Sequence, residues 1–298
     1  MDDATMSGDG RPVVAGVDGT RMWKAVVDLA AAEAARRSAP LLIVHAWPGR
    51  YSGRTRRKAD GTSGIQCRRL LDAIEDRLTS AAWRVPVRTE LIHGVAGEVL
   101  ATHSRNACLL VVGHGDRSAP GTGWGSTATH LTQNCTSPLL VHRGWVGYRG
   151  PIIAGVSAQP GERSAAYAFE LADQIGARLA AVHVWDRARP GHDGVPSRPL
   201  GGNNLERNEA ARRLAEALSG WSAAFPQVAM QAVLISELDL PYTLDQASRR
   251  GQLLVAGMGR QGRVAGLVAG SVRPAAGRHL LCPVLLVPPT WTMPADAS

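Results

Sequence analysis

Apolar positions along this chain follow two periods that take turns. Residues 12–17, 41–46, 108–112 and 139–142 are short, almost unbroken apolar runs, as strands buried on both faces require. Between them the spacing turns helical. From Met22 to Arg37 the apolar positions Met22, Val26, Leu29 and Ala30 are interleaved with Lys24, Glu33 and Arg36, and from Arg68 to Trp83 Leu70, Leu71, Ile74 and Leu78 repeat the pattern. Residues 85–93 alternate as a strand, and 97–105 and 126–134 read as short helices. Continuous apolar strands separated by helices predict a parallel sheet covered on both sides, here a five-stranded doubly wound α/β unit.

The chain then repeats itself. Val14-Ala15-Gly16-Val17-Asp18 returns as Ile153-Ala154-Gly155-Val156-Ser157 at an offset of 139, and Ile43-Val44-His45-Ala46-Trp47 as Ala181-Val182-His183-Val184-Trp185 at 138. Leu110-Val111-Val112-Gly113 returns as Leu254-Val255-Ala256-Gly257 at 144, while Gly125-Ser126 and Pro138-Leu139-Leu140-Val141 return at 145 as Gly270-Ser271 and Pro283-Val284-Leu285-Leu286. Matches in the same order at nearly constant offset mark a duplicated domain. The reading is two tandem units, 11–146 and 150–289, the second with helices at 165–175, 205–224, 243–249 and 271–280.

Composition narrows the class. With 45% hydrophobic and 19% charged residues among 298, the chain is globular and not disordered. An acidic N-terminus without a following apolar stretch, and no apolar run of about 18 residues, predict a cytoplasmic protein with no membrane partner. Four cysteines stand without a C-x-x-C pair, and Cys108, Cys135 and Cys282 lie beside apolar strands, as buried reduced thiols do. The net charge of +8 is concentrated partly at Arg54, Arg56, Arg57 and Lys58. No nucleic-acid motif with interleaved aromatics accompanies that run, so it reads as a solvated loop before a nucleic-acid contact.

Ligands of doubly wound sheets bind beyond the carboxyl ends of the strands, where strand order reverses. The first strand ends in Asp18-Gly19-Thr20. The fourth ends in Gly113-His114-Gly115, and a glycine-rich stretch leads on to Gly125-Ser126-Thr127 and a helix. Such glycines let a backbone approach a phosphate, which free helix N-terminal amides can bind; equally, they can simply turn the chain and cap the helix.

Together, the Val-Ala-Gly-Val-Asp-Gly run, the second-strand Val-His, the Val-Val-Gly of the fourth strand and the Gly-Ser followed by Pro-Leu-Leu-Val resemble the universal stress protein family over both halves. The resemblance implies a tandem member with adenine nucleotide alpha-hydrolase-like, Rossmann-like units, acting in stress response or signalling. It implies pairing through the last strands, so that one chain has the outline of a family dimer, with a homodimer as the further option. It also implies adenine-nucleotide binding, with ATP as cofactor and magnesium carried by the nucleotide. In the first copy the implied contacts are Asp18, Ala46, Gly113, Gly115, Gly125, Ser126 and Thr127; in the second they are Val184, Gly257, Arg260, Gly270 and Ser271. Both copies depart from the family pattern. Gly113 and Gly115 are separated by one residue where the family has two; in the second copy Ser157 replaces the aspartate and Arg260 the second glycine. The first copy, which keeps the aspartate, is the better nucleotide candidate; a scaffold binding an unidentified protein partner is the main alternative, with slow ATP hydrolysis or autophosphorylation and nucleic-acid binding through the basic charge ranked behind it.

Other signals are weaker. Gly257-Met258-Gly259-Arg260-Gln261-Gly262 fits G-x-G-x-x-G but follows a fourth strand, without the acid that binds ribose further on. The nine histidines form no H-E-x-x-H, no serine sits in G-x-S-x-G, and His45 and His183 hold equivalent strand positions, so no catalytic residue and no protein-held metal is expected. Trp47 and Trp185 are expected to close their strands by packing.

Overall fold

The structure, a computed structural model, describes residues 10–20, 22–47, 64–81, 83–114, 126–143, 149–157, 162–185, 202–236, 240–258 and 282–292. These divide into two compact units, one reaching His142 and the other starting at Arg143.

The first unit runs β1 (Val13–Val17), α1 (Trp23–Arg36), β2 (Leu41–Trp47), α2 (Gly64–Ser80), β3 (Val87–His93), α3 (Ala96–His103), a 3₁₀ turn (Ser104–Asn106), β4 (Leu109–Gly113), α4 (Ser126–Asn134) and β5 (Leu139–His142). Its strands are parallel in the order β3-β2-β1-β4-β5. The chain leaves β1 toward β2 and β3, then returns past β1 to β4 and β5, so strand order reverses between β1 and β4. The second unit repeats this with β6 (Ile152–Val156), α5 (Arg163–Ile175), β7 (Leu179–Trp185), α6 (Gly202–Ala224), β8 (Met230–Ser236), α7 (Leu240–Arg250), β9 (Leu253–Gly257) and β10 (Val284–Val287), in the order β8-β7-β6-β9-β10. Its reversal lies between β6 and β9. The helix expected at 271–280 falls outside the described residues.

Burial explains the pattern. Val13, Ala15, Leu109, Leu110 and Val111 are fully buried in the central strands, whereas the edge strand β3 alternates between half-buried and exposed residues. On α1 the buried face is Val26, Val27, Ala30, Ala31 and Ala34, and the larger Leu29 is only half-buried. Small residues let this helix lie close on the sheet. Arg77 of α2 ties α2 to α1 by donating from Nε and Nη2 to the two carboxylate oxygens of Asp28, at 2.8 and 2.5 Å. Because both side chains are about two-fifths exposed, the pair contributes no more than about 1 kcal/mol.

α1 and α5 end in the same device at an offset of 138. Ala39 N–H donates to Ala34 O and Ala177 N–H to Ala172 O, both at 2.9 Å, and the residue before each donor is left-handed: Ser38 at φ 50° and Gly176 at φ 62°. Glycine adopts this conformation without a Cβ penalty and serine does not. Ser38→Gly is therefore expected to stabilise the first unit by about 0.5–1 kcal/mol, read as a raised denaturation midpoint in urea. An unchanged or lowered midpoint contradicts the assignment.

Candidate functional site

At the reversal in the first unit, β1 delivers Asp18. Its Oδ1 accepts from the Thr20 backbone N–H at 3.1 Å and from the Thr20 hydroxyl at 2.5 Å, which closes the loop leaving the strand. The carboxylate stays exposed, and among the described residues its second oxygen is not engaged. On the neighbouring strand, in register with Val17, His45 is buried with Nδ1 2.8 Å from Val17 O. A carbonyl only accepts, so Nδ1 carries the proton. This bond pins the end of β1 to β2 immediately before Ala46, which is half-buried.

Opposite, β4 ends at Gly113. A Cβ there would stand 3.1 Å from Val26 Cγ2 and 3.8 Å from Met22 Cβ, so the floor of this crevice is apolar and α1 approaches the strand end closely. The chain continues beside β5 for one more residue, His114 N–H donating to His142 O at 2.9 Å. Burial holds the His142 imidazole below its ordinary pKa, so its neutral form is favoured. Thr127 lies half-buried in the first turn of α4, and Ser126 begins that helix. Gly115 and Gly125 lie outside the described residues. The structure thus brings Asp18, Ala46 and Gly113 to one end of one sheet.

The second unit arranges the same end differently. Ser157, in place of the aspartate, is held by Glu162. Its backbone N–H and its hydroxyl donate to Glu162 Oε2 at 2.6 and 2.9 Å, and the hydroxyl of Ser164 donates to Glu162 Oε1 at 2.7 Å. Ser164 is 1% exposed, and its Oγ also lies 3.4 Å from Gly155 O. Gly257 closes the arrangement, because a Cβ there would stand 3.7 Å from Ser164 Oγ. The carboxylate therefore joins the ends of β6 and α5 beside the end of β9. His183 repeats the role of His45, its Nδ1 2.9 Å from Val156 O, and precedes half-buried Val184. Arg260, Gly270 and Ser271 lie outside the described residues.

Both histidines are thus structural, as their equivalent positions predict. Trp47 packs edge-on against its register partner His93, with centroids 5.8 Å apart, and lies near Gly64. Burial raises all four thiol pKa values, that of Cys282 to about 12, so none is a ready nucleophile. Cys67, Cys135 and Cys282 are buried, whereas Cys108, expected to be buried, is only partly so. Among the described residues no group of three or more His, Cys, Asp or Glu side chains could hold a metal, and no helix is long and apolar enough to cross a membrane. Glu162 escaped the sequence reading. Its signal was an acid five residues beyond Ser157, at the start of a helix.

Two successive doubly wound units, each reversing its strand order beside its first strand, define a tandem parallel α/β protein. The family model of the universal stress protein family matches residues 10–143 and again 149–288, and the chain belongs to that family. A universal stress protein of Mycolicibacterium smegmatis is 27% identical over 292 residues, covering 93% of this chain and 97% of that protein. Universal stress protein Rv2005c of Mycobacterium tuberculosis is 28% identical over 289 residues, covering 92% and 96%. Among solved structures, a universal stress protein from Archaeoglobus fulgidus superposes with a TM-score of 0.63 at 12% identity, covering 94% of this chain and 99% of that one.

Proposed function

We propose that the chain is a stress-response or signalling module whose first unit binds an adenine nucleotide, ATP with its magnesium ion, without dedicated chemistry of its own. The observation that carries this reading is the contrast between the two strand ends. In the first unit Asp18 presents an exposed carboxylate whose second oxygen suits a ribose hydroxyl, beside Ala46 and a Gly113 that leaves the β4 backbone approachable. In the second unit the corresponding serine is already bound to a carboxylate of the chain. Family membership supports the choice of an adenine nucleotide.

Titration calorimetry of the full chain with ATP and magnesium tests the reading, together with mass spectrometry of whatever the denatured protein releases. Saturable binding with one nucleotide per chain is expected. Asp18→Ala should weaken it by about tenfold, the loss of one hydrogen bond to a charged acceptor. ATP recovered unhydrolysed supports a sensor, and steady ADP release points to a slow ATPase instead. No saturable heat and no released nucleotide would leave the scaffold alternative standing.

A further inference from the structure

The two units place opposite charges at one position. α1 and α5 correspond at an offset of 138, the spacing that relates Ser38 to Gly176 and His45 to His183, so Val26 corresponds to Ser164 and Lys24 to Glu162. The contacts agree with this alignment, since Gly113 meets Val26 and Gly257 meets Ser164. In the first unit the position carries an exposed ammonium, 5.6 Å from the Trp23 ring centroid. In the second it carries a carboxylate that accepts three hydrogen bonds of 2.6–2.9 Å. One of those donors is a strand-end backbone N–H and another is a hydroxyl almost entirely buried between β6 and β9. Such donors at the mouth of a doubly wound sheet are what an incoming phosphate or carboxylate would use.

We infer that Glu162 is a built-in occupant of the second crevice. Its carboxylate holds the Ser157 and Ser164 donors and closes that crevice to anionic ligands. The closure is electrostatic as well as steric. A second anion reaching these donors would meet a fixed negative charge, and displacing Glu162 would leave that charge without its partners. Within the proposed function this assigns the two crevices opposite states, one open to an anionic ligand and one self-filled. It rests on that reading only for the use of ATP in one arm of the test.

The test follows backbone amide resonances of the full chain as inorganic phosphate is added, with ATP and magnesium in a second series. In the unaltered protein Ser157, Ser164 and Gly257 are expected to stay unmoved. Glu162→Ala should make them respond saturably, with an apparent phosphate affinity at least about tenfold above the unaltered protein. Glu162→Gln, which keeps the side-chain volume and removes the charge, should give a smaller response, and it carries the test if the alanine variant does not fold. Glu216→Gln, an exposed change on α6, controls for net charge and should leave the three residues silent. Saturable phosphate shifts at Ser157 in the unaltered protein overturn the inference, as does silence in the folded Glu162 variants. The ATP series is read at Ala46 and Gly113; silence there counts against nucleotide binding by the first unit and leaves the self-filled second crevice standing.

Discussion

Gly113→Val is expected to reduce ATP binding at least about 100-fold, equivalent to about 2.8 kcal/mol. The first added atom already meets Val26 Cγ2 at 3.1 Å, with Met22 Cβ at 3.8 Å, so the two further methyl groups can go only outward over the strand end or against α1. Outward, they cover the β4 backbone that the ligand must approach. Toward α1, they push a helix that begins five residues after Asp18 and so disturb the loop carrying the carboxylate. Gly113→Ala needs a shift of only a few tenths of an ångström and should lose much less. The measurement is calorimetry on both variants with melting curves alongside, because a folded Gly113→Val protein that binds within about threefold of the unaltered one would separate Gly113 from the ligand.

The largest stability effect is expected at Phe169. The chain has two phenylalanines, and they stack on each other, Phe169 of α5 with Phe225 just past α6, centroids 6.1 Å apart and planes 24° from parallel. Phe169 is fully buried and Phe225 nearly so. Phe169→Ala removes a fully buried ring stacked on Phe225, and neighbouring backbone cannot close the gap, so the second unit should lose about 3–5 kcal/mol. Its thermal midpoint should fall by roughly 10 °C. Urea unfolding of the single and double alanine variants also measures the coupling between the rings, expected at about 1 kcal/mol. A loss below about 1.5 kcal/mol would mean the site refills.

The strands of both units were legible in the sequence because a parallel sheet covered on both faces demands uninterrupted apolar runs, and little else in a soluble chain produces them. Helix starts were less so. α2 begins at Gly64, four residues before the expected Arg68, because its first turn has an exposed Ile65 and its only buried residue is Cys67, which gives no stripe to read. α7 begins at Leu240, three residues early, because Pro241 reads as a breaker although the first turn of a helix needs no N–H from it. β3 starts at Val87, after the expected 85, behind Pro86, whose carbonyl accepts from Leu41 N–H at 2.8 Å. At the site, Asp18, Ala46 and Gly113 could be placed because strand ends follow from strand positions. Glu162 could not, because its importance comes from three donors on two residues, Ser157 at a strand end and Ser164 in the first turn of a helix, which only the folded chain gathers around one carboxylate.

The spacing between the two copies is uneven, and the unevenness records how the duplicate has been edited. From α1 to β2 the offset holds at 138; between Val87 and Met230 it has grown to 143, and between Leu139 and Val284 to 145. Most of the gain arises between the second and third strands of the copy, where α6 has 23 residues against 17 in α2. New length has been admitted on the approach to an outer strand, while the stretch bearing the strand-tip histidine stayed in gauge. The two halves could therefore drift apart in surface and in charge without disturbing the framework that positions their mouths.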